Sequence, residues 1–290
     1  MAHDYLIVGA GPAGLQLAAL LERDGHDYVV LERGSGPGTF FTTFPRHRRL
    51  ISVNKVHTGY DGPELRMRMD WNSLLSDDPD LLFTRYSERY FPHTDDLLRY
   101  LADFAAKSGV RVEYDTEVSR IATAAGGFTV TDHKGRTWTG RRLIVATGVS
   151  KPNIPDIPGI EHVERYDTFD PDPQSFTGRR VLVIGKGNSG FETADALVEK
   201  AAVIHVAGPH SVKMAWQTHF VGHLRAVNNN FLDTYQLKSQ NTVLDGTVER
   251  IERGDDGRFR RHRRLPRRLR GDRRAARPPQ RHTQRGRLRR

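Results

Sequence analysis

Residues 5–32 read YLIVGAGPAGLQLAALLERDGHDYVVLE, and this stretch constrains the fold more than any other. Tyr5 to Val8 predicts a short buried strand. Gly9-Ala10-Gly11-Pro12-Ala13-Gly14 follows, then an apolar helix through about Arg23. Asp24-Gly25 ends that helix, because glycine suits the left-handed position after a last turn. Tyr28 to Leu31 predicts a second strand, closing on Glu32. A GxGxxG turn between strand and helix, with an acid ending the next strand, has a mechanical meaning. Gly9 permits a tight turn. Gly11 leaves room for a pyrophosphate against the backbone, and Gly14 lets the helix close on the strand. The free N–H groups at the helix start attract the phosphates. Glu32 is placed to accept from both hydroxyls of a ribose. The stretch predicts a dinucleotide site.

The pattern returns as VLVIGKGNSGFETADALVEK at residues 181–200. Here Gly185, Gly187, Asn188, Ser189 and Gly190 form the turn, and a strand from Ala202 to Val206 follows. Eighteen residues after Gly190 stands Gly208 rather than an acid. A 2′-phosphate would not be repelled there, and His210 or Lys213 could pair with it. The site is therefore read for NADP, with NAD as the alternative. The competing reading of His210 and Lys213 is an ordinary solvated loop.

Between the two lies LIVATGVSKPNIPDIPG, residues 143–159. An apolar strand enters Ala146-Thr147-Gly148, small residues that suit close approach of backbone to a cofactor. Prolines 152, 155 and 158 then break regular structure and mark a domain crossing. The expected division is 1–157, 158–257 and 258–290.

Composition narrows the chemistry. There are no cysteines, which excludes a dithiol redox pair or thiolate metal site in the chain. The histidines show no ligand spacing, so no metal is expected. No run of eighteen apolar residues occurs and the N-terminus does not read as a secretory signal, so a cytoplasmic protein is expected. The net charge of +10 is local. Residues 258–290 hold sixteen arginines and one acid, a charge of +15, leaving −5 on residues 1–257. VERIERGDDGRF, 248–259, reads as a strand, an Asp-Gly turn and the start of another strand. Beyond it the arginine-rich segment has no apolar periodicity and is expected to be disordered, either an out-of-register or truncated end or a basic arm for nucleic acid, the weaker reading.

Two nested dinucleotide motifs around an ATG strand resemble the two-dinucleotide-binding flavoproteins. ERGSGPGTFF (32–41), GKGNSGFETAD (185–195) and YFPHTDDLLRYLADFAAKSGVRVEYDTEV (90–118) resemble segments of the flavin-containing monooxygenase-like oxidoreductases. FPRHRRLISVNK, DWNSLLSDDPDLLFTRYS and LDTYQLKS resemble a subgroup, the FAD-dependent oxidoreductase domain proteins. The resemblance implies an α/β fold, a three-layer FAD domain carrying an inserted Rossmann-like NAD(P) domain. It implies FAD contacts at Glu32, Arg33, Phe40 (where the group has tryptophan) and Val118. It places flavin-facing residues near RMRMDWNSLL, where Asn72 is the first choice and Asp70 the second. Asp70 could instead cap a helix starting at Trp71, which is itself read as core. The group's FxGxxxHxxxY stretch is not intact in IPGIEHVERYDTFD, so an oxidoreductase is implied more safely than a monooxygenase. The expected activity is hydride transfer from NADPH to FAD and on to oxygen or a small-molecule acceptor. The alternative is a truncated or degenerate flavoprotein that binds nucleotide without turnover. Arg46, His47, Arg48 and Arg49 read as a solvated basic loop, with the cofactor as the other option. His219 and His223 read as one surface face of a helix.

Overall fold

The computed structural model describes residues 2–60, 62–149, 151–238, 240–255 and 259–264. A six-stranded sheet organises the first half. Its elements in chain order are β1 (His3–Val8), α1 (Pro12–Arg23), β2 (Tyr28–Leu31), α2 (Phe40–Thr43), α3 (Pro63–Met69), α4 (Thr94–Lys107), β3 (Val112–Glu113), β4 (Val118–Ala124), β5 (Gly127–Asp132) and β6 (Thr137–Val145). The strand order is β3-β2-β1-β6-β5-β4. β3, β2, β1 and β6 run parallel, while β5 and β4 add an antiparallel edge.

Burial on both faces explains why β1 and β2 are continuous apolar runs rather than alternating ones. On one face Ile7 and Val30 pack with Leu15 and Ala18 of α1 and with Leu97, Tyr100, Leu101 and Phe104 of α4. On the other, Leu6, Val29 and Leu31 meet Val130 of β5, with Trp138 and Val118 packed against them. The antiparallel strands thus supply the third layer.

The second half holds β7 (Arg180–Ile184), α5 (Asn188–Leu197), β8 (Val203–Gly208), α6 (Ala215–Thr218), α7 (Asn230–Thr234), β9 (Thr242–Asp245), β10 (Thr247–Arg253) and β11 (Phe259–Arg264). β7, β8 and β9 form a parallel sheet. Its core joins Phe191, Ala194 and Leu197 of α5 to Ile204 and Val206 of β8 and Phe231 of α7. The proline-rich crossing returns at Gly159, whose φ is +87° and whose missing Cβ makes room for the Ile251 carbonyl.

Three expectations are corrected. Phe259–Arg264 was expected to be disordered, yet it pairs antiparallel with β10 from Thr247↔Arg264 to Arg253↔Phe259. Ladder hydrogen bonds with β10 order that backbone. Arg258 and residues 265–290 lie outside the described residues. No helix begins at Trp71. Trp71 is also not core: it is 57% exposed, with the Lys55 ammonium 3.8 Å from its ring centroid. Among the described residues no helix is long and apolar enough to cross a membrane.

Candidate functional site

The first loop is built by close backbone packing. Gly9 has φ +107°, and a Cβ there would lie 2.7 Å from the Ala146 carbonyl oxygen. A Cβ on Gly14 would lie 2.0 Å from the Gly9 carbonyl oxygen. Gly11 differs, because a Cβ there would meet no protein atom within 4 Å. Gly11 is the N-cap of α1 and Pro12 its first residue, where the missing proline N–H would have had no helical partner in any case. The open space beside Gly11 and the unpaired N–H groups of the first turn form a cradle for an anion. Ala13 is exposed at its rim.

Glu32 gathers the surrounding segments. Its carboxylate is 5% exposed as a residue and accepts from Ala10 N–H at 2.7 Å, Gly34 N–H at 2.9 Å and Thr39 Oγ1 at 2.8 Å. Three of its four lone-pair directions are therefore used internally, and the fourth lies on Oε2. Gly38 N–H donates to Ala10 O at 2.9 Å, which seats Phe40 at the loop. Thr116 N–H donates to Glu32 O at 2.8 Å, which brings the start of β4 and Val118 alongside. Ala146 N–H donates to Val8 O at 2.8 Å, and Thr147 and Gly148 continue exposed beyond it, Gly148 at φ +60°. Arg33 is exposed. The structure thus brings Glu32, Gly38 and Ala146 to the first loop, while Val118 packs on the Leu6, Val29 and Leu31 face of the sheet.

Asp70 and Asn72 occupy a segment docked on α1 through Gln16, which exchanges two hydrogen bonds with the backbone of Leu75. Asp70 is buried. One carboxylate oxygen accepts from Asn72 and Ser73 N–H, both at 3.0 Å, and the other from Ser73 Oγ. It holds a turn rather than capping a helix. Asn72 accepts from Ser52 Oγ, while its Nδ2 is buried with no partner. A buried donor without an acceptor is costly, so Nδ2 fits a ligand acceptor. Asn54 carries a buried, unpaired acceptor that no sequence motif marks. It is 2% exposed, donates to Ser87 O at 2.5 Å, and leaves Oδ1 unpaired beside a pocket of about 420 Å³.

The second loop repeats the geometry. Gly185 has φ +121°, a Cβ on Gly190 would lie 2.3 Å from Gly185 O, and Gly187 has no protein atom within 4 Å of its missing Cβ. Asn188 is used internally: it donates to His223 O at 2.9 Å and accepts from Arg225 N–H at 2.9 Å. His210 and Lys213 are exposed. At Gly208 the Lys186 side chain lies across the strand end, with Cε 3.2 Å from the missing Cβ. The Lys186 ammonium, 5% exposed, contacts Asp245 at the end of β9, and Ser211 Oγ donates to the same carboxylate at 2.7 Å. These donors, Lys186 first, hold the Asp245 carboxyl below the usual range. An acid is present after all, on β9 instead of β8, and no local spacing reveals it.

In the loop 46–49 only Arg49 is exposed, and residues 46–48 are half-buried rather than a solvated basic surface. Arg46 Nη2 donates to Phe169 O at 2.5 Å and Arg48 Nη1 to Phe41 O at 2.6 Å. Burial, with Arg46 beside it, pushes the His47 imidazole down to about 4. His219 and His223 share no helix face. α6 ends at Thr218, His219 turns left-handed at φ 56°, and His223 Nδ1 meets Thr218 Oγ1 at 2.6 Å.

Comparison with known proteins agrees with this architecture. A family model for pyridine nucleotide-disulphide oxidoreductases matches residues 6–263. FAD-dependent oxidoreductase domain-containing protein 2 of Mus musculus is 49% identical over 254 residues, covering 85% of this chain and 38% of that protein. The chain thus spans less than half the length of that relative. The probable indole-3-pyruvate monooxygenase YUCCA1 of Arabidopsis thaliana is 30% identical over 223 residues, covering 73% of this chain and 47% of that protein. A flavin-containing monooxygenase from Stenotrophomonas maltophilia superposes with TM-score 0.68 at 22% identity, covering 90% of this chain and 76% of that one. The bacillithiol disulfide reductase Bdr of Staphylococcus aureus superposes with TM-score 0.67 at 18% identity, covering 91% and 75%. Two glycine-turned helices, each following a strand with parallel neighbours in its own sheet, and a family match across nearly all the described residues lead to one conclusion: the chain belongs to the pyridine nucleotide-disulphide oxidoreductase family.

Proposed function

We propose that the chain is a flavin-dependent oxidoreductase that binds FAD at the first loop and NADPH at the second, and delivers electrons to oxygen or a small-molecule acceptor. One observation carries this reading: two separate cradles, at Gly11 and Gly187, each leave open space where a Cβ would stand. One cradle serves one dinucleotide, so two imply a resident cofactor and a second one that reduces it. Bound FAD would supply the two-electron chemistry, and the protein's task is to hold and orient it. The α1 N-terminus holds its pyrophosphate, Glu32 Oε2 a ribose hydroxyl, and Asn72 Nδ2 an acceptor on the ring system. Without cysteine the chain has no dithiol of its own to pass electrons through, which supports an external acceptor. The NADP preference rests on Gly208 and on the exposed His210 and Lys213.

The visible absorption spectrum of the purified chain, supplied with FAD and then titrated anaerobically with NADPH or NADH, tests this. The expected result is a bound flavin spectrum that bleaches with NADPH at lower concentration than with NADH. Bound flavin that neither nucleotide bleaches would support the alternative, a chain that binds nucleotide without turnover. Failure to retain FAD would overturn the proposal for the chain as it stands.

A further inference from the structure

A buried carboxylate sits two residues beyond the second loop. Glu192 of α5 is 8% exposed, and burial raises its carboxyl above the usual range. A buried charge needs partners, and those of Glu192 come from outside its own sheet. Tyr166, in the crossing segment, donates its hydroxyl to Glu192 Oε2 at 2.6 Å. The His47 backbone, from the first half of the chain, lies beside the same carboxylate and offsets part of the effect of burial. The Tyr166 oxygen in turn accepts from Arg46 N–H at 3.1 Å. His47 Nε2 lies 3.4 Å from Thr193 Oγ1. The Tyr166 ring stacks on Phe44 at 5.8 Å and on Phe169 at 6.1 Å. Three segments, 44–47, 166–169 and 192–193, therefore close on one another through polar atoms that would otherwise be buried alone.

Apolar side chains would pack these segments without the cost of a buried charge, but directional bonds select one relative orientation. The connection also reaches both loops. Phe44 packs against Phe40 in a tilted ring contact at 5.0 Å, and Gly38, two residues before Phe40, is bonded to Ala10 of the first loop. Glu192 follows Gly190 of the second loop by two residues, about 3 Å along the helix axis. A shift at Glu192 moves the second loop by a similar amount.

We infer that Tyr166 and Glu192 are positioning residues that lock the second nucleotide loop at a fixed distance from the first. This rests on the two-dinucleotide reading above. Transfer between bound partners needs the reacting atoms about 3–3.5 Å apart, and a displacement of about 1 Å costs on the order of a hundredfold in rate.

The test compares Tyr166→Phe, Glu192→Ala and the conservative Glu192→Gln, whose amide oxygen still accepts from the Tyr166 hydroxyl. Tyr166→Phe and Glu192→Ala are expected to slow flavin bleaching at saturating NADPH tenfold or more. Bound FAD, dithionite reduction and the half-saturating NADPH concentration should stay near the parent's. Glu192→Gln should recover most of the rate. Hydrogen exchange of the same proteins, with or without nucleotide, should show 44–49 and 186–193 losing protection together in Glu192→Ala. Parent-like bleaching rates in both disrupting variants, or exchange confined to 192–193, would overturn the inference. If NADPH does not reduce the parent, the proposed function fails, and exchange alone decides whether the lock exists. If Glu192→Ala does not fold, the isosteric Tyr166→Phe carries both measurements.

Discussion

Gly11 and Gly14 look alike in the GxGxxG string but serve different ends. Gly14 is filled by its own protein, since a methyl there would sit 2.0 Å from the Gly9 carbonyl. Gly11 is empty on its open side and has φ −74° and ψ 178°, which any residue adopts. Gly14→Ala should therefore destabilise the fold by about 1–3 kcal/mol, the usual cost of overpacking. Gly11→Ala should stay within about 0.5 kcal/mol of the parent, yet lose FAD. Urea unfolding and flavin retention after gel filtration separate the two outcomes. Equal stability losses would mean that Gly11 serves the fold rather than a ligand. The sequence placed both glycines in one motif. It did not reveal the three donors on Glu32 or the orphaned Nδ2 of Asn72, because the residues around them come from segments distant in the chain.

Individual elements add a second kind of coupling. Lys186 in the second loop is paired to Asp245 at the end of β9, fifty-nine residues later. Asp245→Ala would leave the Lys186 side chain, 5% exposed, without its carboxylate. A buried polar group left without its partner costs about 1–3 kcal/mol, so β9 and the second loop should lose exchange protection together. Loss confined to β9 would show that the ion pair does not hold the loop. β1, α1 and β2 were legible as a unit because their packing is local and repetitive. The six residues of β11 were not, since an arginine-rich string has no apolar pattern and becomes a strand only when β10 offers its edge.

For the molecule as a whole, the contact between its halves brings together groups whose titration opposes. His47 is pushed down to about 4 by burial, with Arg46 next, from an ordinary value of 6.5. Between those values the unfolded chain binds a proton that the folded chain does not, so stability falls as pH drops from 6.5 to 4. Glu192, raised by burial, acts in the opposite sense: its contribution is present at low pH and lost as pH rises through its raised value. Urea unfolding across pH 4–7 should show a gentler acid loss in His47→Gln than in the parent. An unchanged slope would remove His47 from the account.

The sequence by itself determined two glycine-turned helix starts and their parallel-strand setting, because each depends on residues within about thirty positions. It also pointed to the family through long quoted stretches. Only the tertiary structure decided which polar groups meet. Tyr166 lay in a segment that looked like a broken motif, and Arg46 and His47 in one that looked like a solvated loop. Glu192 lay on a helix read only for its glycines. Hydrogen bonds and burial act through space at about 3 Å, and no spacing along the chain encodes that distance between residues 46, 166 and 192.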